Sequence, residues 1–282
     1  RHKRNLGANC TLVFSYRALE YTRLKNITMK IICWNVNGIR AVMKKGFLEF
    51  AEREDPDILC LQETKIHEKQ LTQEMMNLHG YYSTWAFAER AGYSGVVVYS
   101  KVKPKSVQVE LGGGVHDDEG RLVLAEFEDF TLVNVYIPNG GRGDHRIEYK
   151  LNYYDEMLDL LEKRRAAGEN LVICGDFNTA HTEIDLARPR ANVNVTGFLP
   201  VERAWLDKFV GAGYVDTFRH LNPETTGAYS WWSYRSAARK RNVGWRIDYF
   251  YVNEEFMDKV KNSEIMAEVE GSDHCPLELN LF

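Results

Sequence analysis

The sequence lacks any apolar run near the ~18 residues that cross a bilayer, and it lacks a charged start followed by an apolar stretch and a small-residue cleavage site. Neither a membrane-spanning protein nor a conventionally secreted one is expected; the expected location is intracellular, cytoplasmic or nucleoid in a prokaryote. Cysteine is sparse. Its five copies, Cys10, Cys33, Cys60, Cys174 and Cys275, are odd in number and widely spread. That is unlike a disulfide framework or a zinc ribbon and fits a reducing compartment. A basic excess is also missing. The formal charge is −4, and residues 1–28 hold six Lys/Arg against Glu20 alone, so they carry +5 and the remainder −9. Non-specific nucleic-acid binders are usually basic overall, so bulk charge predicts no polyanionic partner, and any DNA reading must come from site chemistry.

What is present is an ordinary globular composition. With 282 residues, 44% hydrophobic and 27% charged, the chain can bury a sizeable core in one large domain or two small ones. Residues 1–28 show no period, and Met29 stands directly before a strong strand pattern. An N-terminal extension ahead of a start at Met29 is expected, with an organellar transit peptide as the alternative for so basic and acid-poor a segment.

From Met29 onward, β-branched apolar runs at 31–34, 58–61, 95–100, 131–137, 171–174 and 247–252 alternate with helical patterns. Phe47, Phe50 and Ala51 share one helix face, as do Leu151, Tyr154, Leu158 and Leu161. Aliphatic runs without alternation predict strands covered on both faces, and the close succession of 95–100 and 107–111 predicts antiparallel pairing between them. The expected class is α/β, two mixed sheets packed together with helices outside.

Two strands run into similar polar turns, Asn35-Val-Asn37 and Asp176-Phe-Asn178. Side chains two apart on an extended segment point the same way, so a pseudo-repeat would bring both turns to one edge of a sandwich. Two unrelated turns that both use Asn fit the pattern equally well. Strand ends at Asn35, Glu63, Asp176 with Asn178, and Asp248, together with the Ser272-Asp-His274 loop, supply hard oxygen donors and one imidazole. Such a set suits Mg²⁺ or Mn²⁺ better than zinc or copper. Isolated, each acid reads as a solvated loop carboxylate or a cap; five strand ends together read as a site. His274 beside Asp273 has the polarity to hold a phosphate oxygen, and His181 is expected at the rim. The stretch 231–245 interleaves Arg235, Arg239, Lys240 and Arg241 with three tryptophans and a tyrosine. That composition serves a nucleic-acid groove with a pocket for an extruded nucleotide, or else a core tryptophan cluster beside a solvated basic loop. Gly112–Gly114 has no Gly-Lys-Ser/Thr after it and reads as a flexible turn, not a phosphate loop.

Trp34-Asn-Val-Asn-Gly-Ile-Arg40, Leu61-Gln-Glu-Thr-Lys65, Tyr136-Ile-Pro-Asn139, Gly175-Asp-Phe-Asn-Thr-Ala-His181, Asn242-Val-Gly-Trp-Arg-Ile-Asp-Tyr249 and Gly271-Ser-Asp-His-Cys-Pro276 occur in that order. In these motifs, residues 29–282 resemble the exonuclease III family of apurinic/apyrimidinic (AP) endonucleases; residues 1–28 take no part. The resemblance implies a single catalytic domain of the endonuclease/exonuclease/phosphatase type, a four-layer α/β sandwich. It also implies a DNA-repair hydrolase that uses Mg²⁺, with Mn²⁺ as substitute, to cut the phosphodiester 5′ to an abasic site. Related 3′–5′ exonuclease and 3′-end-trimming activities, a double-stranded DNA partner with abasic sites or 3′-blocked ends, no membrane and a monomeric state follow from it too.

Carried over residue by residue, the resemblance makes Glu63 the principal metal ligand, with Asn35, Asp273, Asp176 and Asn178 also in the metal set. Asp176 would deprotonate or orient the water that Asn178 helps place. His274, oriented by Asp248, would stabilise the phosphate charge, and Tyr136 and Asn139 would hold the phosphate or support the leaving group. Trp231, Trp245 and Ile247 would line a pocket for the abasic sugar, Arg142 and Arg235 would enter the duplex, and Asn192 would contact DNA. The sequence departs from the family in two places. Val195 stands where a second asparagine is usual, with Asn194 nearby, and Asn37 replaces an aspartate seen in some members. A lipid or inositol phosphatase, or a non-specific nuclease, would share the Asp-x-Asn and Asp-His ends, and the 242–249 segment discriminates against these. A catalytically silent DNA-binding protein would be expected to have lost one of Glu63, Asp176, Asn178, Asp248 or His274.

Overall fold

The computed structural model describes residues 28–112, 116–141 and 143–282. The extension expected over 1–28 lies outside them save its last residue, as do Arg142 and two of the three glycines of the 112–114 turn. Among the described residues, twelve strands run in chain order: β1 (Met29–Asn35), β2 (Ile58–Gln62), β3 (Tyr82–Ala86), β4 (Val96–Ser100), β5 (Ser106–Gln108), β6 (Leu122–Glu126), β7 (Thr131–Tyr136), β8 (Leu171–Asp176), β9 (Tyr214–Asp216), β10 (Asp248–Asn253), β11 (Val260–Ile265) and β12 (Leu277–Leu281). The three longest helices are α1 (Phe47–Glu54), α2 (Asp144–Ala166) and α3 (Pro200–Gly211).

The strands form two six-stranded sheets, β11-β12-β1-β2-β4-β3 and β5-β6-β7-β8-β10-β9. Both follow one plan. Each has a central parallel pair, β1 with β2 and β7 with β8, and every other ladder is antiparallel. Ile31, Cys33, Ile58, Cys60, Val96 and Val98 of the first sheet pack against Val123, Leu132, Val172, Cys174, Phe250 and Val252 of the second, forming the inner core. Alternate residues face outward onto helices: Ile32, Trp34, Leu59 and Leu61 onto Phe47 and Phe50 of α1, and Val133, Ile173 and Tyr251 onto Tyr154, Leu158 and Leu161 of α2 and Trp205 and Phe209 of α3. The order helix, sheet, sheet, helix is the expected four-layer sandwich. Each aliphatic side chain so buried contributes about 1.5–3 kcal/mol, which is why the unalternating runs were readable as two-faced strands.

The predicted pairing of 95–100 with 107–111 does not form. β4 lies in one sheet and β5 in the other, where β5 borders β6 as an edge strand of three residues. The intervening Lys-Pro-Lys crosses between layers, a move that sequence proximity alone cannot distinguish from a hairpin. The two sheets are also fastened by a buried polar staple: Gln62 Nε2 donates to Asn134 Oδ1 at 2.6 Å, and Asn134 Nδ2 donates to the carbonyls of Leu61 and Val97 at 3.2 and 2.9 Å. Directional polar contacts in a dry interface favour one alignment of the layers, and this one brings the ends of β1, β2, β7 and β8 together.

Candidate active site at the shared edge of the sheets

Local backbone geometry places the polar groups. Gly175 sits in β8 at φ 145°, where an added Cβ would lie 1.8 Å from the carbonyl oxygen of Val135. Only glycine lets β8 close on β7 at this point, and Asp176 emerges directly after it. Asn37, Glu63, Lys65 and Asn178 all occupy the left-handed region, at φ 47°, 51°, 50° and 50°. Four non-glycine residues in this costly region around one cavity mark a place where the surroundings over-determine the chain.

Asn35 is the bridge between the sheets. Its Nδ2 donates at 2.9 Å to Glu63 Oε1 and at 2.9 Å to Asp176 Oδ2. Lys65 Nζ lies 2.7 Å from Glu63 Oε2 and also donates to Asn37 Oδ1. Burial alone would raise the Glu63 carboxyl; the Lys65 ammonium, the Asn35 amide and His274 outweigh it and hold Glu63 below its ordinary range. Asp176 has the opposite balance. Burial and then the neighbouring Asp248 carboxylate raise its proton affinity, against the pull of His274.

Asp248 opens β10 directly opposite Asp176 in the ladder. Its Oδ2 accepts from Ser230 Oγ at 2.6 Å and meets His274 Nδ1 at 2.8 Å. Burial would lower the imidazole, but Asp248 more than compensates and raises it to about 10, so the ring is an imidazolium at neutral pH. His274 Nε2 stands 3.9 Å from Asp176 Oδ2, too far for a hydrogen bond, so this donor remains available to a substrate oxygen. Asn178 donates from its main chain to Asp176 Oδ1 at 2.8 Å and from Nδ2 to the carbonyl of Ile137 at 2.8 Å, and accepts from Asn139 Nδ2 at 2.9 Å. Tyr136 is buried, with the Arg121 guanidinium 4.6 Å from its ring centroid; burial first, then Glu63, push its phenol well above the ordinary tyrosine value.

Ligand atoms of Glu63, Asp176 and His274 all lie within 4.8 Å of one another. Because His274 is held protonated by Asp248, the groups fit to hold a cation are the carboxylates of Glu63 and Asp176, a hard donor set for a hard divalent ion. Asn35 turns its amide N–H groups toward both acids. Asp273 is similarly engaged: Oδ1 accepts from Asn37 Nδ2 at 2.8 Å and Oδ2 from the Trp231 indole at 3.1 Å. Asn35 and Asp273, expected among the ligands, are both engaged in hydrogen bonds beside these acids. A groove of about 980 Å³ opens from Glu63, Tyr136 and Asn139 past Arg90, Tyr93 and Arg146.

Beside this cluster is an apolar one. Ala180, Leu186, Phe198 and Ile247 are buried in it, with half-buried Trp231 and Trp245 packed against them. The two indoles meet edge to face at 6.3 Å, and the Trp231 and His274 ring centroids are 6.5 Å apart. Of the other expected contacts, Arg235 is exposed on a turn next to Tyr234, and Asn192 spends its Nδ2 on the carbonyls of Ala187 and Arg188. Arg142 lies outside the described residues. Within 231–245, Trp231 and Trp245 join the apolar cluster beside the acids, whereas Trp232 is core and Arg239 donates to the carbonyls of Ala267, Val269 and Ser272 while stacking on Trp232 at 4.7 Å. His181 pairs with Asp207 of α3 at 2.8 Å. Sequence reasoning left Ser230 and Lys65 unassigned. Lys65 was visible two residues after Glu63, while Ser230 carried no signal until the 229–231 segment was seen to cross Asp248.

The sequence profile of the Endonuclease/Exonuclease/phosphatase family matches residues 32–274. The chain is 48% identical over 253 residues to the exodeoxyribonuclease of Bacillus subtilis (strain 168), covering 89% of this chain and 98% of that protein. It is 42% identical to a DNA-(apurinic or apyrimidinic site) endonuclease of Dictyostelium discoideum, covering 92% and 72%. Among solved structures, an AP endonuclease from Archaeoglobus fulgidus superposes with a TM-score of 0.82 at 28% identity, covering 90% of this chain and 99% of that one. A variant of the 3′ phosphatase NExo from Neisseria, bound to product DNA hairpin, also reaches 0.82, at 26% identity and the same coverage. With the match running through Glu63, Asp176, Asp248 and His274, the chain belongs to the endonuclease/exonuclease/phosphatase family, in its exodeoxyribonuclease and AP-endonuclease branch.

Proposed function

We propose that the protein is a DNA-repair nuclease that hydrolyses the phosphodiester 5′ to an abasic site in duplex DNA with Mg²⁺, Mn²⁺ serving as a substitute. It also removes 3′-blocking groups and digests 3′ ends, and it acts as a monomer. The observation that carries this reading is the hydrogen bond from the Trp231 indole to Asp273 at 3.1 Å, which ties the aromatic cluster, in this reading the wall of a sugar pocket, to the carboxylate cluster. A pocket walled by bulky rings beside the reacting groups admits a sugar without a base more readily than an intact nucleotide.

A bound divalent cation supplies charge neutralisation at the phosphate. In the chain itself, Asp176, with its raised proton affinity, takes the proton of the attacking water, which Asn178 and Asn139 help orient. The His274 imidazolium donates from Nε2 to a phosphate oxygen as negative charge builds there, and Asp248 with Ser230 fixes its orientation. Tyr136 stands on the groove side, positioned to support the departing oxygen. The bond from phosphorus to the 3′ oxygen breaks, leaving a 3′-hydroxyl and a 5′-phosphorylated abasic sugar.

A labelled duplex with one abasic analogue, beside an undamaged control, tests this in Mg²⁺ and in EDTA. A single Mg²⁺-dependent nick 5′ to the analogue is expected. Equal degradation of both duplexes would leave a general nuclease and refute the pocket assignment.

A further inference from the structure

Beneath the reacting groups, Lys150 of α2 and Glu202 of α3 form an ion pair with both side chains at 0% exposure and Nζ 2.7 Å from Oε1. The ammonium's three donors meet three acceptors: Glu202 Oε1, Thr179 Oγ1 at 2.6 Å and the main-chain oxygen of Asn178 at 2.8 Å. Glu202 is equally engaged. Oε1 accepts from the Thr196 hydroxyl at 2.9 Å, and Oε2 from the main-chain N–H groups of Gly197 and Leu199 at 2.6 and 3.0 Å.

Two charges taken wholly out of water are a poor way to gain stability, since an apolar pair of similar volume usually serves as well or better. What this pair provides is connection. On one side it holds the carbonyl of Asn178, a non-glycine residue at φ 50° whose side chain lies against Asp176. On the other it holds Gly197, whose backbone is so close to the aromatic cluster that an added Cβ would lie 3.2 Å from both the Trp245 ring and the Asn178 carbonyl oxygen. Ala180 N–H donates to the Gly197 carbonyl at 2.8 Å, closing the loop between the two.

We propose that the Lys150–Glu202 pair is a positioning element of the phosphodiesterase reaction, locking the Asn178 turn to the Gly197 wall of the aromatic pocket so that the nucleophile-orienting group and the sugar-binding surface keep one spacing. The inference rests on the nuclease reading above. The test uses Lys150→Met/Glu202→Gln, which removes both charges and keeps most of the volume, and Lys150→Arg, which keeps the cation. Melting confirms folding, hydrogen exchange of segments 177–180 and 196–199 is followed without DNA or metal, and kcat and KM are measured on the abasic duplex.

The double variant is expected to exchange faster in both segments and to lose about 10²-fold in kcat, the size of loss that a misplacement of about 1 Å brings. KM stays within about threefold, and Lys150→Arg recovers kcat to within about tenfold of the parent. Faster exchange without the kcat loss, or the kcat loss without faster exchange, overturns the proposal. If the double variant does not fold, Glu202→Gln alone is judged by the same two readouts. A parent protein that leaves the abasic duplex uncut fails the nuclease reading itself, and the pair is then judged on hydrolysis of bis(4-nitrophenyl) phosphate.

Discussion

The turns that follow β1 and β8 have the same shape and different chemistry. In each, the strand's last side chain accepts the main-chain N–H two residues on: Asn37 to Asn35 Oδ1 at 3.0 Å, and Asn178 to Asp176 Oδ1 at 2.8 Å. Each receiving residue is an asparagine in the left-handed region, at φ 47° and 50°. Both strands belong to the central parallel pair of their sheet and border an antiparallel strand on the other side, β12 for one and β10 for the other. The pseudo-repeat reading is therefore right about the backbone. The duplicated frame fixes where a side chain stands, and the residue type decides what it does. A carboxamide at 35 bridges two acids without adding charge, whereas a carboxylate at 176, facing Asp248 in a dry edge, acquires the raised proton affinity that a base needs.

Making the two turns chemically alike should have the largest effect. Asp176→Asn keeps the turn, since the carboxamide still accepts the Asn178 N–H, but loses the base. Turnover on an abasic duplex should fall by about 10²–10⁴-fold while gel-shift binding of the duplex in EDTA persists. Full turnover would remove Asp176 from its role. The reverse exchange, Asn35→Asp, sets a third carboxylate against Glu63 and Asp176. In EDTA it should cost about 1–2 kcal/mol, or several degrees of melting temperature. Mn²⁺ should restore more of that loss than it adds to the parent, because a cation that binds only the folded state stabilises it in proportion to affinity. An equal metal-induced shift in both proteins would argue that the ion is not held between these acids.

The same contrast explains what was legible in sequence. Runs such as 31–34 and 171–174 were readable because both faces are covered, and the motif order pointed to Glu63, Asp176, Asp248 and His274 because those residues sit at or beside strand ends. β3, β6, β9 and β11 gave weaker signals. β3, β9 and β11 lie at sheet edges, as in Val260–Ile265 with only two of six residues buried, whereas β6 is an interior, largely buried strand of only five residues. Long-range polar contacts were also invisible: nothing local marks Asn134 as the inter-sheet staple, or Lys150 and Glu202 as partners 52 residues apart. Nor could residue type alone show that Arg239 is spent on carbonyls while Arg235 is free of such contacts in the described structure.

A smaller effect should come from the aromatic cluster, the proposed pocket, beside the β8 turn. Trp245→Ala removes the ring that packs over Gly197 and faces Trp231 but touches none of the reacting groups. A fall of about tenfold in kcat/KM for the abasic duplex, equivalent to about 1.4 kcal/mol, should come with a narrower preference over undamaged DNA. Trp231→Phe keeps the ring and loses the N–H to Asp273, so it separates the pocket's shape from its tie to the acids. If discrimination survives Trp245→Ala unchanged, the pocket is not what selects the lesion.

The smallest effect is a slope. In the folded protein His274 releases its proton near pH 10 against 6.5 for an ordinary histidine, and Asp176 also binds its proton more tightly than an unfolded aspartate. Both groups make the folded state hold more protons than the unfolded one, so stability must fall as pH rises. For His274 the contribution is complete below 6.5 and is lost progressively up to about 10. Melting temperature in EDTA should therefore decline between about pH 6.5 and 7.5, a window that ends before the buried thiols ionise in the unfolded chain. His274→Gln removes the imidazole and should flatten the decline. The β1 turn supplies a contrast, because Asn35→Ala removes the donor to Asp176 Oδ2, strengthens that carboxylate's hold on its proton and should steepen the slope where His274→Gln flattens it. A decline equally steep in His274→Gln would place the proton linkage elsewhere in the molecule and separate the chemistry of the β8 edge from its stability.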